Sequence, residues 1–121
     1  MRAYERLSLL LERTTPEHML LELNLGEMTI LQVQQHLMRT IRMEYDHNLS
    51  QQIYVSNQVW DAIIASRDQM VAFLNTMAQH MPPESNALDY AKVLITAYSS
   101  NGQTANDQAM QLLRTEARSL L

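Results

Sequence analysis

Two glycines, Gly26 and Gly102, and three prolines, Pro16, Pro82 and Pro83, are all that punctuate the backbone of this 121-residue chain. Proline removes a hydrogen-bond donor and fixes φ, while glycine opens the left-handed region, so these positions mark where regular structure starts or stops. Between them the chain is rich in Leu, Met, Gln, Arg, Glu and Ala, the residues that lose least freedom in a helix. Alternation of β-branched and polar residues occurs only around Gln52 to Val55, where a short extended piece is expected. The fold class this predicts is all-α.

Periodicity and capping residues divide the chain further. Ala3 to Arg13 carries Leu7, Leu10 and Leu11 at helical spacing, with Tyr4 one turn earlier, and reads as a first helix. Thr15 followed by Pro16 is a cap with proline at the first helical position, opening a short helix to about Glu22 before Asn24-Leu25-Gly26 breaks it. Thr29 stands three residues before Gln32, the spacing of a capping box, and a long helix follows with Ile30, Val33, Leu37, Ile41 and Tyr45 inward. Ser56 caps the next, whose stripe of Val59, Trp60, Ile63, Ile64, Met70, Val71, Leu74, Met77 and Met81 ends at Pro82-Pro83. Ser85 reads as the cap of a segment over Asn86 to Tyr98, with Leu88, Ala91, Leu94, Ile95 and Tyr98 inward and Asn101-Gly102 as its stop. Thr104 and Asp107 open a last helix that carries Leu112, Leu113, Ala117 and Leu120. The expectation is one domain over residues 1–121, a compact antiparallel bundle of four longer helices plus one short helix.

Composition narrows the chemistry. Nine basic against thirteen acidic residues give a net charge of −4, and the eight arginines and Lys92 are scattered. A phosphate backbone needs clustered cations, so no nucleic-acid partner is expected. The chain has no cysteine, which removes disulfides, thiolate metal sites and cysteine nucleophiles. Glycine-rich phosphate loops and the glycine-flanked turn of a serine nucleophile find no match around Gly26 or Gly102. Glu44 and His47 form a Glu-x-x-His on a predicted helix, half of a di-iron ligand set, but His18, His36 and His80 have no Glu three residues before them. The pair is therefore a metal candidate without a second half, and no cofactor is expected. Among the nine methionines, Met70, Met77 and Met81 belong to the apolar stripe, whereas Met38 and Met43 flank the stripe of the long helix and suit a contact surface.

The segments Tyr4-Glu-Arg-Leu-Ser-Leu-Leu-Leu-Glu-Arg13, Glu44 to Ser56 and Ala109 to Leu121 resemble those of an uncharacterised bacterial domain-of-unknown-function family of small all-α proteins. The likeness runs over nearly the whole chain. In that family a hydrophobic membrane helix and a short charged connector often precede the Tyr-Glu-Arg-Leu segment, whereas this chain starts with Met-Arg-Ala directly before it. The resemblance implies a fold and no chemistry, and leaves two readings: the soluble domain of a longer membrane-anchored protein, which is preferred, or a naturally shorter member. Under the first, the lack of cysteines and of a leader places the domain at the cytoplasmic side.

What remains is a non-catalytic helical interaction or scaffolding domain, binding a protein partner or a second copy, with a metal protein centred on Glu44 and His47 as the alternative. The connection from Asn48 to Val55 is the expected place for a specific surface, because polar amides mix there with Ile53, Tyr54 and Val55. Met38, Gln51 and Tyr54 are the candidate contact residues. If Ile53 and Val55 merely staple the loop to the bundle, Tyr54 should be buried. If the segment meets a partner, the Tyr54 ring should be exposed.

Overall fold

The computed structural model describes residues 2–121. Six α-helices follow in order: α1 (Arg2–Arg13), α2 (Pro16–Leu20), α3 (Ile30–Asn48), α4 (Asn57–Gln79), α5 (Ala87–Ser99) and α6 (Ala105–Ser119). Two 3₁₀ segments, Leu25–Glu27 and Leu49–Tyr54, lie before and after α3, and no strand occurs among the described residues. Five helices are long and one is short, so the bundle has one long helix more than the four expected. The segments themselves fall where spacing and caps place them.

Each start has a physical cause. Thr15, Thr29, Ser56, Asn86 and Thr104 all take extended backbone, and each side chain accepts a hydrogen bond from an N–H that the first helical turn leaves without a partner. Three of these are reciprocal capping boxes, Thr29 with Gln32, Asn86 with Asp89 and Thr104 with Asp107. The cap of α5 is thus Asn86 rather than Ser85, since Asp89 reaches back to the Asn86 N–H at 3.1 Å. Gly102 takes φ of 65°, the left-handed turn expected between α5 and α6.

Hydrogen bonds between helices fix their directions. Tyr4 at the start of α1 meets Glu116 at the end of α6, while Asn106 at the start of α6 donates to the Leu11 carbonyl near the end of α1. These two helices therefore run antiparallel. The same reasoning makes α3 and α4 antiparallel, through Gln34 with Asn75 and Tyr45 with the Ile63 carbonyl. It also makes α4 and α6 antiparallel, because the Ala105 N–H donates to Gln69 and the Ser56 N–H to Glu116.

One hydrophobic core receives side chains from all six helices, with Leu7, Leu10, Leu11, Val33, Leu37, Ile63, Leu74, Tyr90, Leu94 and Leu113 essentially without solvent contact. Burying one such side chain contributes about 1.5–3 kcal/mol, which makes this shared interior the main source of stability. On α4, Trp60, Ile63 and Leu74 are buried as their spacing requires, while Ile64 and Val71 are half-buried at the margin of the core. Leu88 and Ile95, expected inward, are exposed instead, and Leu120 at the end of α6 is exposed as well. Tyr90 and Ala91 supply the buried flank of α5, which turns Leu88 and Ile95 toward solvent. No helix among the described residues is long and apolar enough to cross a membrane.

Candidate functional site

The connection singled out in the sequence is not extended. Leu49–Tyr54 winds on from α3 as a 3₁₀ helix, with the chain becoming extended only at Val55. Tight turns of this kind often continue an α-helix where the i to i+4 ladder gives out. Here the Val55 N–H closes the segment on the Gln52 carbonyl.

Both ends of this segment are tied to the bundle. At its start the Arg6 guanidinium of α1 donates to the His47 carbonyl at 3.0 Å, and the Asn48 amide donates to the Glu44 carbonyl at 2.7 Å. At its end a single carboxylate oxygen of Glu116, Oε2, accepts from the Ser56 N–H and from the Tyr4 hydroxyl, each at 3.0 Å. Three parts of the chain that are distant in sequence, α1, the entry to α4 and the end of α6, thus converge on one carboxylate. Partial burial pushes the Glu116 carboxyl up, but the bonds from Ser56 and Tyr4 outweigh it and hold the pKa below the ordinary carboxylate value.

Between these anchors the segment turns its apolar residues outward. Ile53 is 79% exposed and Tyr54 62% exposed, with Leu49 also exposed nearby in the chain. Gln51 is 8% exposed, and its amide donates to the Ser50 hydroxyl at 3.3 Å. Ile53 is therefore not a staple onto the bundle. Val55 is the residue of this pair that packs against the core.

Met38 lies elsewhere, half-buried in a groove of about 330 Å³ between α3 and α4, with Ile41, Tyr45, Arg67, Val71 and Asn75. The Arg67 guanidinium sits 5.9 Å from the Tyr45 ring centroid and pairs with Asp68 at 3.0 Å. Burial pushes the Tyr45 hydroxyl up to about 12, and that hydroxyl donates to the Ile63 carbonyl. The three contact candidates thus divide: Tyr54 is exposed, Gln51 is buried beside it in the chain, and Met38 belongs to a separate groove.

Glu44 and His47 share a shallow depression of about 260 Å³ with Arg6, Leu9, Arg13 and Met43. The His47 Nδ1 lies 3.1 Å from the Met43 carbonyl. Arginines rather than further carboxylates stand around the pair, and no three His, Asp or Glu side chains converge as a metal-ligand group among the described residues. The arrangement is that of a helix end, not of a ligand set.

A family model, described as a family of unknown function, DUF7935, matches residues 1–120. The chain belongs to DUF7935. No curated protein and no solved structure matches it. The site in this DUF7935 chain has to be argued from its own geometry, and the residue that organises it, Glu116, escaped the sequence reading. Its partners Tyr4 and Ser56 lie 112 and 60 residues away, and an isolated Glu in a helix carries no signal of such a role.

Proposed function

We infer that this DUF7935 domain is a non-catalytic protein-interaction module whose contact surface is the Leu49–Tyr54 segment. The observation that carries the reading is the exposure of Ile53 and Tyr54, adjacent apolar side chains on a segment whose two ends are hydrogen-bonded to the bundle. A pre-ordered segment loses little further entropy on binding, and tyrosine supplies a large contact area at low entropic cost. Single exposed apolar side chains are ordinary on a protein surface, but neighbouring ones such as Ile53 and Tyr54, with Leu49 close in the chain, can join into the contiguous apolar patch that marks a binding surface. The lack of cysteine suits work in a reducing compartment, the cytoplasm.

Site-specific photo-crosslinking in the native cell tests the reading. A benzophenone amino acid in place of Tyr54 should give one discrete adduct, and the same probe at exposed Asp61 on α4 should not. Equal labelling from both positions, or none from position 54, would contradict a specific surface there.

A further inference from the structure

Three of the helix caps carry their own acceptor for the N–H of the capping residue. Gln32, Asp89 and Asp107, each at the third helical position, reach back to the N–H groups of Thr29, Asn86 and Thr104 at 2.9, 3.1 and 3.1 Å. The Thr15 N–H is met instead by the Glu12 carbonyl at the end of α1. Helix α4 has neither device. Its third position is Val59, an apolar residue only 2% exposed, so the Ser56 hydroxyl caps the Val59 N–H but Val59 offers no side-chain acceptor in return. Glu116 takes the place of that missing acceptor from α6, 60 residues away in sequence, where its Oε2 accepts from the Ser56 N–H at 3.0 Å. A carboxylate at this point also suits the positive end of the α4 dipole and makes the bond charge-assisted.

Ser56 stands two residues beyond Tyr54, so the bond that completes the α4 cap also fixes the end of the Leu49–Tyr54 segment. The start of the segment is fixed from α1, where Arg6 donates to the His47 carbonyl. Tyr4, on the same helix, donates to the Oε2 that receives Ser56, and Asn106 of α6 donates to the Leu11 carbonyl toward the other end of α1. The paired α1 and α6 helices thus hold both ends of the segment, and Glu116 joins α1, α6 and the entry to α4 at a single atom.

We propose that Glu116 is the positioning residue of the Leu49–Tyr54 surface, completing the α4 cap from α6 so that order in this surface depends on α6 being docked, a role that rests on the reading of the segment as the surface that meets a partner. With the carboxylate in place the segment meets its partner already in shape. Without it the segment has to be ordered at the moment of binding, which weakens the contact.

Amide hydrogen exchange in the intact domain, followed by NMR, compares wild type with Glu116→Ala, a truncation at a half-buried position outside the hydrophobic core. Exchange at Ser56 should rise about tenfold or more, the effect of losing a bond to a charged acceptor, with smaller rises at Ile53, Tyr54 and Val55. The Thr29 and Asn86 N–H groups, whose acceptors are local, should keep their wild-type rates. Glu116→Gln retains an acceptor oxygen of the same reach and should loosen the segment less than Glu116→Ala. An unchanged rate at Ser56 would overturn the proposal, and so would a rise of equal size at Ser56, Thr29 and Asn86, which is the mark of general destabilisation. In the native cell the adduct from a benzophenone at position 54 should weaken in the Glu116→Ala chain, and an adduct kept in full despite faster exchange would also overturn the proposal. A wild-type chain that gives no adduct brings down the contact-surface reading alone, and the exchange rates then still decide whether Glu116 sets the order of the segment.

Discussion

Ile63 and Ile64 are neighbours on α4, yet one is sealed in the core and the other sits at its margin. Truncating a fully buried aliphatic residue to alanine costs about 2–5 kcal/mol, because the transfer energy is lost and a cavity remains. Ile63→Ala and Leu74→Ala should each fall in that range in denaturant unfolding, with Ile64→Ala clearly below both. Glu116 has a different signature. Folding lowers its pKa, so the unfolded chain binds that proton more tightly than the native one. Its contribution to stability is full above the ordinary value of 4.5 and is lost as pH falls through the lower native value. Glu116→Gln should therefore be less stable than wild type at neutral pH, and the gap should close in acid. A gap independent of pH would show that the charge on Glu116 does not matter.

Caps set where the helices begin, and they differ in what surrounds them. Thr104 is buried and lies 3.3 Å from the Tyr98 hydroxyl besides accepting from the Asp107 N–H, whereas Thr29 is exposed. Removing a threonine cap costs about 0.5–2 kcal/mol. Thr104→Ala should lie near the upper end and Thr29→Ala near the lower, as read from chemical denaturation. Equal losses would mean that the buried setting of Thr104 adds nothing. Four of the five caps were legible in the sequence, because a cap is a local event written in residues three apart. Asn86 was missed by one position because Ser85 is an equally good cap in isolation, and only the reach of Asp89 back to the Asn86 N–H decides between them. The Leu49–Tyr54 segment was misread for the opposite reason. Ile53, Tyr54 and Val55 favour extended backbone locally, but the segment continues α3 and is tied at both ends by residues remote in sequence. The inward face of α5 was only half legible, since its apolar residues lie on more than one side and periodicity does not say which side meets α2 and α4.

At the scale of the whole molecule the buried tyrosines tie the fold to pH from the alkaline side. Tyr45 and Tyr90 each donate to a carbonyl of α4, Ile63 and Leu74 respectively, and burial pushes both hydroxyls up to about 12 from the ordinary 10.0. The native state keeps these protons while the unfolded chain releases them, so stability should decline as pH rises above 10.0 and continue to fall toward 12. Tyr90→Phe should flatten that decline. The all-α class was plain from the scarcity of glycine and proline together with helical spacing, but surfaces arise from which helices meet, and that information is spread over the chain. The interaction surface is the central claim, and it separates stability from binding: Ile53 and Tyr54 are exposed and so contribute little to the core. The most direct test places the photo-crosslinker at exposed Gln52, next to this pair, and compares wild type with Ile53→Ala/Tyr54→Ala for both melting temperature and adduct formation in the native cell. The account predicts an unchanged melting temperature and loss of the adduct. A variant that melts as early as Leu74→Ala, or one that keeps the adduct in full, would contradict it.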